Sequence, residues 1–351
     1  MIHSSPTLLI RADAHVRTGT GHVMRCLAQA QAWRASGAGP FFDGQKPSGL
    51  KNRIRKEGFR VVSMAVAPGG SADAKLTAGH AKKHGAQWVA VDGYHFHSTF
   101  RKVLRNNGCL LLWIDDLGTS GEGFADMVVN HNLHAKKSLY PKCSPRTRLL
   151  LGPSFALLRK EFVQAGSRTH KAGPRPRLLI SGGGTDPHNM TKTALEALSH
   201  VSNPSFEIEV ILGPGYKKEK TLKNLLVSTG IHRVHVRRNP SHMARLMARA
   251  DLAVVSAGST CWEISRLGLP ALLVEQADNQ VRIARSLHRA GVAWNLGPAA
   301  GLREKSLQRR LQWLADSPDV RRRMSSRGRL LIDGRGATRV VKAMMAKGCL
   351  E

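Results

Sequence analysis

Short apolar runs recur along the chain, each followed by a polar or glycine-bearing turn. In the first half they fall at Thr7–Ile10, Arg60–Ala65, Trp88–Val91, Leu110–Ile114 and Met127–Val129. Unbroken runs of this kind mark strands covered on both faces, as in a parallel sheet. From His22 to Ala35 the spacing changes, and Val23, Cys26, Leu27, Ala30 and Trp33 fall near helical periodicity. The loop Arg11–Gly21 lies between that helix and the first strand, and strand–loop–helix is the opening unit of a doubly wound α/β domain. The later runs end at Asp92-Gly93-Tyr94, Asp115-Asp116 and Asn130-His131-Asn132. Ligands of open parallel sheets bind beyond the carboxyl ends of the strands, so these turns are expected on one rim.

Leu149–Phe162 reads as a strand and then a helix carrying Arg159 and Glu161, and Gly166–Pro176 is polar and basic, as a linker would be. A second series follows: a strand at Leu178–Ile180, the loop Ser181–Asp186, and a helix from Pro187, where a first turn tolerates proline. Further strands are expected at Ile208–Leu212, Arg233–Val236, Leu252–Val255 and Ala271–Val274, with helices between them. Leu302–Lys347 reads as a basic helical tail, with Arg321–Arg329 a solvated face. The architecture expected is α/β, with two Rossmann-like doubly wound parallel-sheet domains facing across a cleft. Residues 1–165 form the first domain, 166–176 the linker, 177–300 the second domain, and 301–351 a tail packing back on the domains.

Composition agrees. The 351 residues are 42% hydrophobic, 5% aromatic and include 34 glycines, which suits small aliphatic strands with glycine at their turns. No run approaches the roughly 18 apolar residues of a membrane span. Met1–Ile10 lacks the apolar stretch of a signal peptide. The five cysteines are far apart and odd in number, which points to a reduced, cytoplasmic protein without a disulfide framework or zinc site. The formal charge of +30 would attract any polyanion. Its clusters, Lys51–Lys56, Lys217–Lys223 and Arg321–Arg329, do not interleave with aromatics, so a solvated surface is favoured over a dedicated nucleic-acid footprint.

Three turns carry candidate chemistry. Gly19-Thr20-Gly21-His22 sits where a strand enters a helix, so the backbone can approach a ligand and His22 can exchange a proton near neutral pH. The plainer reading is a helix cap. Gly182, Gly183, Gly184 and Thr185 suit a diphosphate cradle. They lack the Gly-Lys-Ser/Thr ending of a Walker A loop and the spacing of a dinucleotide fingerprint. A tight turn that binds nothing is the alternative. Gly258, Ser259 and Thr260 again suit a phosphate, and Glu263 can accept both hydroxyls of a ribose. Thr260 and Glu263 equally have the spacing of a capping box. Asn279 and Gln280 stand where they can bond a sugar or cap a helix. Asp115-Asp116 read as loop acids. His95 and His97 are poor metal ligands in a loop without further donors, and no metal is expected.

In this order the residues resemble the PseG-type family, the UDP-2,4-diacetamido-2,4,6-trideoxy-β-L-altropyranose hydrolases of pseudaminic acid biosynthesis, relatives of MurG-type glycosyltransferases. The similar stretches are Ile10–Asp13, Gly19–Arg25, Asp92–Tyr94, Asp115-Asp116, Gly152–Phe162, Gly182–Asp186, Ser256–Glu263 and Glu275–Gln280. The resemblance implies a GT-B fold and His22 as catalytic residue. It implies nucleotide or substrate contacts for Arg159, Glu263 and the Gly182–Thr185 and Gly258–Thr260 loops. Tyr94 and Asn279 would sit at the sugar, with Asp13, Gly19, Gly21, Arg25 and Gln280 also among the substrate-binding positions. It weakens at Val66–Lys83 and after Leu296.

The reaction expected is metal- and cofactor-independent hydrolysis of a UDP-sugar, with water as acceptor and His22 as general base. The alternatives are a GT-B glycosyltransferase with the same donor and, on charge alone, a nucleic-acid or anion-binding protein. Oligomeric state is not legible.

Overall fold

In the computed structural model, residues 6–14, 19–118, 124–165, 175–201, 206–231 and 233–348 are described. The opening run is strand β1 (Thr7–Ala12), followed by α1 (Gly21–Ala35), β2 (Gly39–Asp43), α2 (Ser48–Lys56), β3 (Arg60–Val62) and α3 (Ser71–Lys83). Then come β4 (Ala86–Asp92), α4 (Ser98–Asn106), β5 (Leu110–Ile114), β6 (Met127–Asn130), β7 (Arg148–Leu151) and the short α5 (Lys160–Gln164). The strands form one parallel sheet in the order β3-β2-β1-β4-β5-β6-β7.

Residue alternation along these strands supplies two cores. Leu8, Ile10, Ala12, Trp88, Ala90, Leu112 and Ile114 pack with Val23, Leu27 and Ala30 of α1. Leu9, Val89, Val91, Leu111 and Trp113 point the other way, onto Ala74 and Ala78 of α3 and Phe100 and Leu104 of α4. Both faces are covered, which is why the strands read as continuous apolar runs.

The second series contains β8 (Arg177–Ser181), α6 (Met190–Ser199), β9 (Glu207–Leu212), α7 (Glu219–Thr229), β10 (Val234–Arg238) and α8 (Met243–Arg249). It continues with β11 (Leu252–Ser256), α9 (Thr260–Leu267), β12 (Ala271–Glu275), α10 (Asp278–Arg289) and β13 (Trp294–Pro298). These strands form a parallel sheet in the order β10-β9-β8-β11-β12-β13. Three helices close the chain: α11 (Glu304–Asp316), α12 (Pro318–Leu331) and α13 (Gly336–Gly348).

The chain divides into two units, Met1–Lys160 with Gly334–Glu351, and Glu161–Asp333. Leu307, Leu311 and Leu314 of α11 join the core of the second unit. In α12, Met324, Ser325 and Gly328 are buried; a side chain at Gly328 would press on the Ser265 backbone of α9. Arg322, by contrast, is exposed. Val340, Val341 and Met344 of α13 belong to the core of the first unit, beside α1.

Two strands depart from the sequence reading. β2 opens on Gly39-Pro40 and has only Phe41 and Phe42 as large apolar residues, and β13 is interrupted by Asn295 and Gly297. Both lie beside apolar strands, and pairing with β1 and β12 supplies the order that their own sequences do not announce. The helix expected from Pro187 begins only at Met190, because Asp186 and Asn189 take positive φ and break the first turn. Arg159 precedes α5 instead of lying within it. Of the expected linker, Gly166–Pro174 lies outside the described residues. Among the described residues no helix is long and apolar enough to cross a membrane.

Candidate functional site

Both sheets reverse strand order at one place, between β1 and β4 and between β8 and β11. Such switch points open a crevice at the carboxyl edge. In the first sheet the register pairs Ala12 with Asp92 and Asp92 with Ile114. Asp13, Asp92, Asp115 and Asp116 therefore leave the sheet at one rim, where α1 also begins.

At that rim His22 and Arg25 lie on the inner face of α1, one turn apart, and both are buried. Nδ1 of His22 is 2.6 Å from Oδ1 of Asp92. Arg25 Nε donates to Asp92 Oδ2 at 2.6 Å and Nη2 to Oδ1 at 2.7 Å, while Nη1 donates to Asp116 Oδ1 at 2.7 Å. Tyr94 Oη donates to Asp116 Oδ2 at 2.9 Å, and Asn132 Nδ2 to Oδ1 at 3.1 Å. The Tyr94 ring stands edge-on to His22, with centroids 4.8 Å apart.

The electrostatics follow from this packing. Burial raises the proton affinity of Asp92, but Arg25 and His22 outweigh it, and the carboxyl falls below its usual range. Burial acts likewise on Asp116, where Arg25 again prevails and holds the carboxyl far below its usual range. Asp92 is thus an ionised acceptor, so Nδ1 of His22 carries the ring proton. In the neutral ring Nε2 then offers the lone pair that a general base requires. Arg25 Nη2, 3.2 Å from Nδ1, finds no acceptor there, because its proton goes to Asp92. The neighbouring His131 is pushed down to about 4 by burial and by Arg25, and is neutral at pH 7.

Asp13 is also buried. Its Oδ1 accepts from Arg11 Nη1 and the Gln45 amide, both at 2.6 Å, and its Oδ2 faces His95. Gly19, with φ of 71°, and Gly21 flank Thr20, the N-cap of α1. Asp115 turns back to accept the amides of Leu117 and Gly118 at 2.9 and 3.0 Å. Asp116 differs from the loop acid expected, since it holds Arg25 and Tyr94 together.

In the second sheet, Val255 pairs with Ser181 and Ser256 with Val274, so the Gly182, Ala257 and Gln276 turns share a rim. The two helix ends there are unlike. At α6, Asp186 Oδ1 accepts the Met190 amide at 2.8 Å and Oδ2 the Thr191 amide at 3.0 Å. Gln276 Nε2 also donates to Asp186 Oδ1, at 2.7 Å. The chain's own carboxylate fills the helix end that the sequence offered to a diphosphate. At α9 the N-cap is Ser259, not Thr260, and no side chain caps it, so the capping box does not form. The Cys261 and Trp262 amides of its first turn bond back to the Gly258 and Ser259 carbonyls at 3.0 and 3.2 Å, and its positive dipole end suits an anion.

Gly183, with φ of 82°, lies so close to Ser256 that a Cβ would stand 2.8 Å from its Oγ. Gly215 donates its amide to Gly184 at 2.9 Å, and a Cβ at Gly213 would strike the carbonyl oxygens of Gly183 and Gly184. Gly184 and Thr185 complete this part-buried loop. Gln280 Oε1 accepts the Gln276 amide at 3.0 Å, and its Nε2 lies beside Gly258. Asn279 and Glu263 are part-buried in the first turns of α10 and α9.

The structure thus gathers Asp13, His22, Arg25 and Tyr94 in the first unit, and Gly182–Thr185, Gly258–Thr260 and Gln280 in the second. Arg159 is buried where the chain leaves the first unit. Sequence reasoning placed Asp92, Asp116 and Asn132 in rim turns and Gln276 in a stretch of resemblance without giving any of them a site role, and it passed over the Gly213–Gly215 turn. An aspartate ending each of two adjacent apolar strands was the available signal for the first pair. Among the described residues no group of three or more His, Cys, Asp or Glu is placed to hold a metal ion.

Two parallel-sheet α/β domains with these rims define a protein of the GT-B fold. The structure of MurG from Acinetobacter baumannii is similar over 97% of this chain and 99% of that one, with a TM-score of 0.68 at 17% identity. Residues 177–333 match the glycosyltransferase family 28 C-terminal domain. The chain is 29% identical over 281 residues to the uncharacterized protein MJ1062 of Methanocaldococcus jannaschii, covering 78% of this chain and 56% of that protein. It is 26% identical over 206 residues to the spore coat polysaccharide biosynthesis protein SpsG of Bacillus subtilis, covering 55% and 57%. A 179-residue stretch is 30% identical to the UDP-N-acetylglucosamine–N-acetylmuramyl-(pentapeptide) pyrophosphoryl-undecaprenol N-acetylglucosamine transferase of Anaeromyxobacter sp. (strain K), covering 49% and 46%. The chain thus spans about half the length of the curated relatives it matches.

Proposed function

We propose that this chain is an enzyme acting on UDP-sugars, in which His22 takes the proton of a hydroxyl nucleophile attacking the anomeric carbon. The observation that carries the reading is the 2.6 Å bond between His22 Nδ1 and an ionised Asp92, which leaves Nε2 as base. The nucleophile's oxygen bonds to C1 as the C1–O bond to UDP breaks, with inversion, and the proton passes to Nε2. UDP departs with the added negative charge. The uncapped end of α9 and the glycine loops of the second unit would hold that diphosphate and stabilise its charge.

Glycosyl transfer to an acceptor hydroxyl is the reading the comparisons favour, since the matched domain and the Anaeromyxobacter protein carry transferase names. Hydrolysis of a UDP-linked diacetamido-trideoxyhexose is the second reading. It is supported by the PseG-type resemblance in both units and by the enclosure of His22, whose side chain is 10% exposed with Tyr94 against its ring. Such an enclosure suits a nucleophile the size of water.

The test is incubation with a panel of UDP-sugars in EDTA, with and without acceptor saccharides, following UDP and free sugar. Release without acceptor assigns hydrolysis, and release only with acceptor assigns transfer. If UDP neither binds nor is released, the proposal fails.

A further inference from the structure

The resemblance assigns Asp13 to the substrate, yet the side chain of Asp13 is 1% exposed and both of its oxygens are engaged. It belongs to a buried ionic chain. Arg11 donates from Nε and Nη2 to Asp73 at 3.0 and 2.7 Å and from Nη1 to Asp13 at 2.6 Å. Asp73 also accepts the Gly69 amide at 2.7 Å and the Thr77 hydroxyl at 3.3 Å. Arg11 and Asp73 have no exposed surface. Three charges taken out of water cost several kcal/mol each unless fully paired, so such a cluster is seldom needed for stability alone.

The chain surfaces at one group. His95 Nε2 lies 2.8 Å from Asp13 Oδ2, and its side chain is 32% exposed. Asp13 is held ionised against burial by His95 and Arg11, so Nε2 of His95 is the protonated nitrogen. Its ring rests on Phe96, with centroids 4.0 Å apart, and Phe96 in turn carries the Arg11 guanidinium on its face. Among the described residues, Nδ1 of His95 has no hydrogen-bond partner. His95 stands on the same rim as His22, next in sequence to the Tyr94 that packs on His22. The two imidazoles are held at opposite nitrogens: His22 faces Asp92 through Nδ1 and leaves Nε2, while His95 faces Asp13 through Nε2 and leaves Nδ1.

We infer that His95 is a sugar-contacting residue, with Asp13 as its positioning residue and Arg11 and Asp73 behind it. This rests on the UDP-sugar reading above. With the ring proton on Nε2, Nδ1 is left to accept a hydrogen bond, so it would select a sugar presenting a hydroxyl or an acylamino N–H. A sugar lacking a donor at that position would bind more weakly.

His95→Gln separates this role from a structural one, because a glutamine amide can reach the Nε2 position and still donate to Asp13 but supplies nothing at Nδ1. In a His22→Ala parent, where turnover is slowed by about 10²–10⁴, the variant should bind intact UDP-sugar about tenfold more weakly, the value of one hydrogen bond, and bind UDP unchanged. Nitrogen-detected NMR of the parent at pH 8 should show His95 protonated on Nε2 only. Unchanged UDP-sugar affinity, a parallel fall in UDP affinity, or a proton on Nδ1 would each overturn the assignment. A wild-type protein that binds neither UDP nor UDP-sugar would instead remove the reading on which it rests.

Discussion

His22 and Asp92 are joined by a 2.6 Å hydrogen bond at the carboxyl edge of the first sheet, with Arg25 bonded to both oxygens of the same aspartate. Asp92 fixes the tautomer and Arg25 keeps Asp92 ionised. His22→Ala should lower turnover by about 10²–10⁴, the range for loss of a general base. Asp92→Asn should be comparably damaging, because an amide can donate to Nδ1 and leave the proton on Nε2. Steady-state UDP release, with circular dichroism to verify folding, checks both.

Arg25 separates stability from chemistry. Its replacement by Met leaves Asp92 and Asp116 buried without their cation. Breaking a buried pair in this way costs about 3–5 kcal/mol. Arg25→Lys should rescue only part of it, since an ammonium cannot reproduce the fork that spans two carboxylates. Urea unfolding monitored at Trp88 and Trp113, both in the first sheet, provides the readout.

Gly183→Ala and Gly213→Ala should each weaken UDP binding by tenfold or more. The first residue has φ of 82° and the second is pressed against the Gly183–Gly184 carbonyls. A Cβ at Gly213 must shift the loop, while one at Gly183 must displace the Ser256 hydroxyl and take a left-handed conformation, which adds about 1 kcal/mol or more. Titration calorimetry with UDP measures the loss, and the His22–Asp92 pair should be unaffected.

Acid should destabilise the protein in two stages. His131 is depressed from 6.5 to about 4 when folded. As pH falls below 6.5 the unfolded chain takes up a proton that the folded chain refuses, and stability drops by on the order of 3 kcal/mol by pH 4. Asp13, Asp92 and Asp116 are depressed too. Their contributions are complete above about pH 4 and fade below it, as unfolding releases carboxylates that then protonate. Denaturant midpoints at pH 7, 5.5, 4.5 and 3.5 test the sequence of losses, and His131→Asn should flatten the first stage alone.

Much of this was legible in the sequence. Apolar runs such as Trp88–Val91 announce strands because burial on both faces leaves no polar alternation to confuse them. The three glycine turns mark places where a strand crosses into a helix at the carboxyl rims of the sheets. Hidden instead were the features that depend on distance in sequence. Asp92 meets His22 only because β4 pairs with β1. Asp186 closes the start of α6 by adopting a positive φ that no local pattern signals. Strand β2 owes its order to neighbours.

The return of α13 to the first unit bears on how the protein is made. Val340, Val341 and Met344 complete the core around α1, so the unit carrying His22 cannot complete that core until α13 has been synthesised. The later-encoded unit, Glu161–Asp333, can finish first. A nascent chain cut short before Gly336 therefore holds every residue of the second unit but lacks the helix that completes the core of the first.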